Sequence, residues 1–198
     1  MTTASESVRI LTDDWVHPLP IESLFPEPHP IEVDLGCGKG RFLLARAAAK
    51  PDTNFLGIDR MLRRIRKVDR KAVRAGLNNV RLLRIEGYYA TVYLLPPRSV
   101  RAFYIFFPDP WPKARHHKNR LFDAQFLDAL DRTLVADGIV HVATDHLPYF
   151  EDIAALLDRD PRFTPTDPFV PEEEEKTDFE LLFRDQPIGR CSVRRRGD

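Results

Sequence analysis

Sulfur is scarce in this chain: its 198 residues include two cysteines and two methionines. Cys37 and Cys191 stand far apart and lack metal-ligand spacing, so the sequence suggests neither a disulfide framework nor a metal site, and a reducing compartment fits. Long hydrophobic runs are missing too. No stretch approaches the ~20 apolar residues that a membrane helix needs. Residues 1–6 lack the basic and apolar regions of a signal peptide, so a cytoplasmic protein without membrane association is expected. An excess of charge of one sign is also lacking, because 30 Lys and Arg balance 30 Asp and Glu. Net charge therefore gives no support to nucleic-acid binding, which usually goes with a basic domain. There is no internal repeat, low-complexity segment or convincing linker, which leaves one domain.

The distribution of charge says something different from its sum. Arg60, Arg63, Arg64, Arg66, Lys67, Arg70, Lys71 and Arg74 crowd one segment, Lys113 to Arg120 form another, and Arg194 to Arg196 lie near the end. A neutral protein with segregated charge can still present a basic face to phosphates.

Residues 1–30 read as a Pro-rich, partly flexible leader. Pro18, Pro20, Pro26, Pro28 and Pro30 are too many for a packed helix or central strand, and Trp15, Leu24 and Phe25 could pin the segment to the domain or over a site. The remainder, 31–198, alternates strands and helices and predicts an α/β domain: a mostly parallel, Rossmann-like sheet with helices on both faces. Strands are expected at 31–35, 54–58, 79–85, 100–107 and 139–143, and helices at 41–50, 60–75, 121–134 and 147–157. The segments 162–169 and 179–184, with Cys191 to Val193, are read as the antiparallel edge. The run Glu172 to Glu175 is read as a solvated loop.

Strand, glycine turn, helix at Ile31 to Lys50 is the start of a nucleotide-binding unit, and Asp59 follows at the spacing of a ribose-hydroxyl acceptor. Asp34, two residues before Gly36, would repel a pyrophosphate and suits a ligand with a cationic sulfonium and amino group, such as S-adenosylmethionine. The plainer alternative is that Asp34 caps the following helix. Glu86 and Asp109 also end strands, and Glu86 is suited to an adenine amino group. Asp145 closes a further strand, whereas His141 reads as a satisfied sheet residue.

The chain is organised around Phe106-Phe107-Pro108-Asp109-Pro110-Trp111-Pro112-Lys113, followed by Ala114-Arg115-His116-His117-Lys118-Asn119-Arg120. An apolar strand stops at a carboxylate between prolines and turns basic. In open α/β sheets ligands bind at such strand ends, and a Trp followed by cations suggests a nucleobase joined to phosphates. The plainer reading is a Pro-rich turn with a solvated basic rim.

Gly36-Cys37-Gly38-Lys39-Gly40, Asp59, Phe107 to Lys113, Arg115 to Lys118, Thr144-Asp145 and Thr177-Asp178-Phe179-Glu180, in this order, resemble the bacterial tRNA (guanine-N7)-methyltransferase family over about residues 31–190. The resemblance implies a class I fold, S-adenosylmethionine as cofactor, tRNA as partner, no metal, and a monomer or homodimer. It implies that Asp34, Gly36, Gly38, Asp59, Glu86 and Asp109 line the cofactor site; from the chemistry of N7 methylation Asp109 is the candidate catalytic carboxylate and Asp145 the candidate for the base edge, two roles that could be exchanged. Lys113, Asp145, Thr177, Asp178, Phe179 and Glu180 would meet the target guanosine, and Arg115, His116, His117, Lys118, Asn119 and Arg120 the RNA. There are three departures from the family: Asp34 where Glu is usual, Glu86 where Asp is usual, and Glu and Lys176 where Arg-Pro often precedes T-x-F-E. A methyltransferase acting on another nucleobase or a small molecule, and an inactive RNA-binding partner of the same fold, remain the alternatives.

Overall fold

The computed structural model describes residues 7–183 and 185–197. Its seven strands form one sheet in the order β3-β2-β1-β4-β5-β7-β6. These are β1 (Ile31–Leu35), β2 (Asn54–Ile58), β3 (Val80–Leu83), β4 (Val100–Phe106), β5 (Leu134–Thr144), β6 (Phe163–Thr166) and β7 (Gly189–Arg195). The first five run parallel, and β7 lies antiparallel between β5 and β6. Because β2 and β3 extend one way from β1 and β4 starts the other, the order reverses between β1 and β4. That reversal opens a crevice at the carboxyl ends of the strands.

Every residue of β1 and β2 is buried, as expected of strands covered on both faces. Alternation along the strands separates two apolar layers. Val33, Leu35, Leu56 and Ile58 pack with Phe126 and Leu130 of α4 (Ala124–Thr133) and Ile153 and Leu157 of α5 (Leu147–Arg159). On the opposite side, Phe55 and Leu82 pack with Leu43 and Ala47 of α1 (Arg41–Ala49) and Ile65, Val68 and Ala72 of α2 (Leu62–Arg74). A short α3 (Gly87–Tyr89) runs on as a π-helical turn at Ala90–Leu94.

Two expectations are corrected. Phe179 to Arg184 does not form an edge strand: Asp178–Leu182 is a helix, α6, Arg184 lies outside the described residues, and the antiparallel side of the sheet is made by β7 with β6 at the edge. The cause is local, since Thr177 and Glu180 form a reciprocal capping box that starts a helix. Nor is the glutamate run wholly solvated, because Glu175 is 6% exposed and pairs with Arg46.

Before β1, the described part of the N-terminal segment packs on the domain. Arg9 bridges to Leu82 in parallel fashion at the free edge of β3, and Leu19, Ile21 and Phe25 join the larger core. Among the described residues no helix is long and apolar enough to cross a membrane, and no group of three or more His, Cys, Asp or Glu is placed to hold a metal ion.

Candidate active site

The turn after β1 is built by left-handed glycines: φ is +90° at Gly36, +55° at Gly38 and +74° at Gly40. Gly36 and Cys37 both donate backbone N–H bonds to the Ile58 carbonyl, at 2.8 and 3.0 Å, which ties the turn to the end of β2. Two of the glycines answer different needs. A Cβ at Gly40 would lie 2.6 Å from Val68 Cγ1 of α2, so that glycine permits close helix packing. A Cβ at Gly36 would meet no protein atom within 4 Å. The backbone there is left-handed and its face is open to a ligand.

Two carboxylates lie beneath this turn, Asp34 and Asp59, each 5% exposed. Asp59 accepts from the Met61 N–H at 2.7 Å and the Gly38 N–H at 3.2 Å, and pairs with Arg64 at 3.2 Å. Burial first, and the neighbouring Asp59 charge second, push the Asp34 carboxyl up to about 8. A cationic guest would favour the ionised form of this pair. Glu86 has a structural task, since its two carboxylate oxygens accept from the Tyr88 and Tyr89 N–H groups at 3.0 and 2.9 Å and cap α3.

Beyond β4 the chain is strained. Phe107 and Trp111 have φ of +54° and +43°, which costs a non-glycine residue about 1–2 kcal/mol each. Phe107 N–H donates to the Ala143 carbonyl of β5 at 2.7 Å, so the proline loop leaves the sheet beside Thr144 and Asp145. Asp109 is mostly exposed and faces Arg60 at 3.8 Å. Lys113 precedes a 3-10 helix, Ala114–Asn119, on which Arg115, His117, Lys118 and Asn119 are exposed. His116 is half-buried against the Trp111 ring. Arg120 differs from its neighbours. Its side chain is 11% exposed, donates to the Pro110 carbonyl and to Asp152, and lies over the Tyr149 ring. It holds the loop from within.

The segment carrying Thr177 to Glu180 reaches the same rim through an aromatic contact. Phe179 stacks on Phe107 with centroids 5.5 Å apart and planes at 12°. Glu180 points away from that rim, buried in the capping box and in an ion pair with Arg190. The turn before α6 is held by two arginines of α1 that the sequence reading missed. Arg41 donates to the Lys176 carbonyl at 2.8 Å, and Arg46 Nη1 donates to both Glu175 oxygens at 3.2 Å. Arg46 also donates to the Tyr104 hydroxyl, which donates in turn to Glu32 at 2.8 Å. A cation within the otherwise apolar α1 was the available signal, since such a group needs a partner when the helix packs. His141 is a sheet residue as expected: its Nδ1 meets Ser192 Oγ at 2.7 Å, its ring stacks on Tyr104, and burial lowers its pKa to about 4.

The glycine turn, Asp34, Asp59, the Phe107 to Lys113 loop, Asp145 and Phe179 thus share the carboxyl edge of the sheet. The carboxylates of Glu86 and Glu180 and the guanidinium of Arg120 are engaged in holding secondary structure.

The chain is 36% identical over 146 residues to a tRNA (guanine-N(7)-)-methyltransferase of Sodalis glossinidius (strain morsitans), covering 74% of this chain and 61% of the relative. It is 38% identical over 146 residues to the protein of that description from Halorhodospira halophila, covering 74% and 63%. The chain therefore spans about three fifths of the length of these curated relatives. A 16S rRNA (adenine(1408)-N(1))-methyltransferase from Catenulisporales acidiphilia, solved with the cosubstrate SAM, shares the fold. Its TM-score is 0.54 at 16% identity, over 85% of this chain and 86% of that one. The family described as "Putative methyltransferase" matches residues 28–182, and the chain belongs to that methyltransferase family.

Proposed function

We propose that the chain transfers a methyl group from S-adenosylmethionine to N7 of a guanine in the variable loop of tRNA. The observation that carries this reading is the Phe107–Phe179 stack, which brings the FPDPWPK loop and the T-x-F-E segment onto one rim beside the glycine turn. The names of the relatives support the choice of tRNA and of guanine N7.

The residues at the turn fit the cofactor. Gly36 leaves its ligand face open, and two buried acids beside it suit a sulfonium and an amino group. Asp34, Gly36 and Gly38 would hold the amino-acid end and Asp59 the ribose, while Glu86 keeps spare lone pairs toward adenine. When bound, the cofactor supplies an electrophilic methyl group.

What the protein must add is modest, because guanine N7 has an in-plane lone pair and no proton to remove. Alignment is the main requirement. Phe179, stiffened by its stack on Phe107, offers a flat surface to the base, and the capping box of Thr177 and Glu180 fixes the helix that carries it, with Asp178 on its first turn. Asp145 would accept from the guanine N1 and N2 donors. Asp109 would offset the positive charge that develops on the ring. The Arg60 contact, at 3.8 Å and largely exposed, leaves Asp109 free to turn toward a ligand. Lys113 and the exposed Arg115, His117, Lys118 and Asn119 would meet ribose and phosphates, with His116 behind them. Arg120 would act on RNA through the loop it braces.

The test is transfer of labelled methyl from S-adenosylmethionine to unmodified tRNA, with the product nucleosides digested and identified. The expected product is 7-methylguanosine from the variable loop. Asp109→Ala should cut transfer by about 10²-fold or more while cofactor affinity stays within a few-fold. Equal losses in both would reduce Asp109 to a cofactor ligand, and a different methylated nucleoside would overturn the substrate.

A further inference from the structure

Helix α2 carries a charge pattern that the chemistry above does not use. Arg63, Arg66, Lys67, Arg70, Lys71 and Arg74 are all exposed. Asp69, the acid within the helix, is already engaged: it accepts from Ser7 Oγ and the Val8 N–H and pairs with Arg9 at 3.4 Å. Arg63, Lys67 and Lys71 follow one another at i,i+4, as do Arg66, Arg70 and Arg74, and like charges at that spacing destabilise a helix. Cations in the first turn also oppose the helix dipole. The free protein therefore keeps a surface whose members repel one another, which a polyanion would relieve.

That surface has shape as well as charge. Pinning Val8 and Arg9 beside Asp69 leaves a groove of about 680 Å³ lined by Arg9, Leu62, Arg63, Arg66, Asp69 and Arg70. A smaller cleft of about 180 Å³ continues it, sharing Arg9 and Leu62 and adding Trp15 and Arg84. An aromatic ring among arginines is the composition that holds a nucleic-acid strand by backbone and base together. The position also fits. Arg60, just before α2, faces Asp109 on the active-site rim, and from Leu62 to Arg70 the helix advances ~12 Å. The cations lead away from the rim along a path for consecutive phosphates.

We propose that the groove between Arg9 and α2 is a second RNA-binding surface, which takes the sugar-phosphate backbone of the tRNA beyond the target nucleotide. It rests on the tRNA reading above and extends the contact to a side of the domain remote from the Arg115 to Asn119 segment in sequence. Affinity for the whole tRNA then comes from two basic patches flanking one rim.

The experiment compares the full chain with the double variant Arg63→Gln/Arg66→Gln and with Arg159→Gln/Arg194→Gln, which removes equal charge from other exposed positions. Affinity for an unmodified tRNA transcript is measured between about 50 and 200 mM salt, beside thermal stability and S-adenosylmethionine affinity. The groove variant should bind tRNA about tenfold more weakly and flatten the slope of log K against log salt by about one to two. Its melting temperature should not fall and its cofactor affinity should hold, while the control stays near wild type. Wild-type binding and slope in the groove variant would overturn the proposal, as would an equal loss in the control. Preferential binding of an acidic peptide over the transcript would overturn it as well. If wild type forms no 7-methylguanosine, the proposed reaction fails while the binding comparison still decides the groove. If it does, and the groove variant binds as wild type, the groove alone fails.

Discussion

Asp34 concentrates the chemistry of the proposed cofactor end in one group. Its pKa, pushed up to about 8, lies above that of an unfolded carboxyl, so the folded protein holds a proton there across neutral pH. The stability this lends is complete below the ordinary carboxylate range and is lost as pH rises through about 8. A cationic ligand reverses the preference by favouring the carboxylate, so its binding must expel that proton below pH ~8. Affinity for S-adenosylmethionine should therefore rise between pH ~6 and ~8, level off above, and lose this dependence in Asp34→Asn. Calorimetry in buffers of different ionisation enthalpy counts the released proton, and a wild-type affinity flat in pH would remove Asp34 from the cofactor site. The position of Asp34 was legible in the sequence because a strand and a glycine turn bracket it. Its protonation was not, since that depends on Asp59 from another strand.

Among the elements, the turn before α6 depends most on distant partners. Glu175 is 6% exposed, and the Arg46 guanidinium joins it to Tyr104. Arg46→Met keeps the apolar stem but strands a buried carboxylate, which should cost about 3 kcal/mol. It should also raise the KM for tRNA well above its effect on S-adenosylmethionine affinity, because Phe179 loses its support. Chemical denaturation reads the first effect and steady-state kinetics the second; an unchanged tRNA KM would separate this turn from substrate binding. The parallel strands were readable because short, largely apolar segments are followed within a few residues by a carboxylate or glycine, although Asp137-Gly138 hid the first five residues of β5, which begins at Leu134 rather than at 139. Four identical glutamates do not reveal which one will be buried, and that choice falls to Arg46 of α1. Likewise α6 is too short to show a helical period, so its capping box decides what its Phe and Leu residues alone would make a strand. Arg120 read as one more cation of a basic rim until Tyr149 and Asp152, from α5, gave it an interior place.

At the scale of the whole molecule, the residues before β1 contribute to the core. Leu19, Ile21 and Phe25 are 5%, 1% and 7% exposed, and Arg81 lies over the Phe25 ring while donating to the Leu24 carbonyl. Burial of three such side chains is worth roughly 5 kcal/mol or more, comparable with the net stability of a small domain. Removing residues up to Pro26 should therefore lower the melting temperature by more than about 10 °C or abolish cooperative unfolding, followed by circular dichroism. An unchanged midpoint would make the segment an appendage. Prolines had marked this stretch as irregular, which it is, but irregular backbone can still bury side chains. The close packing of Gly40 on Val68 reaches further than local fit. Val68 belongs to the helix whose outer side bears the arginines, so the glycine turn proposed to hold the cofactor and the basic groove are two surfaces of one wall. A tilt of that wall on seating RNA would press on the turn, and thermodynamic reciprocity then requires each ligand to alter the other's affinity by the same factor.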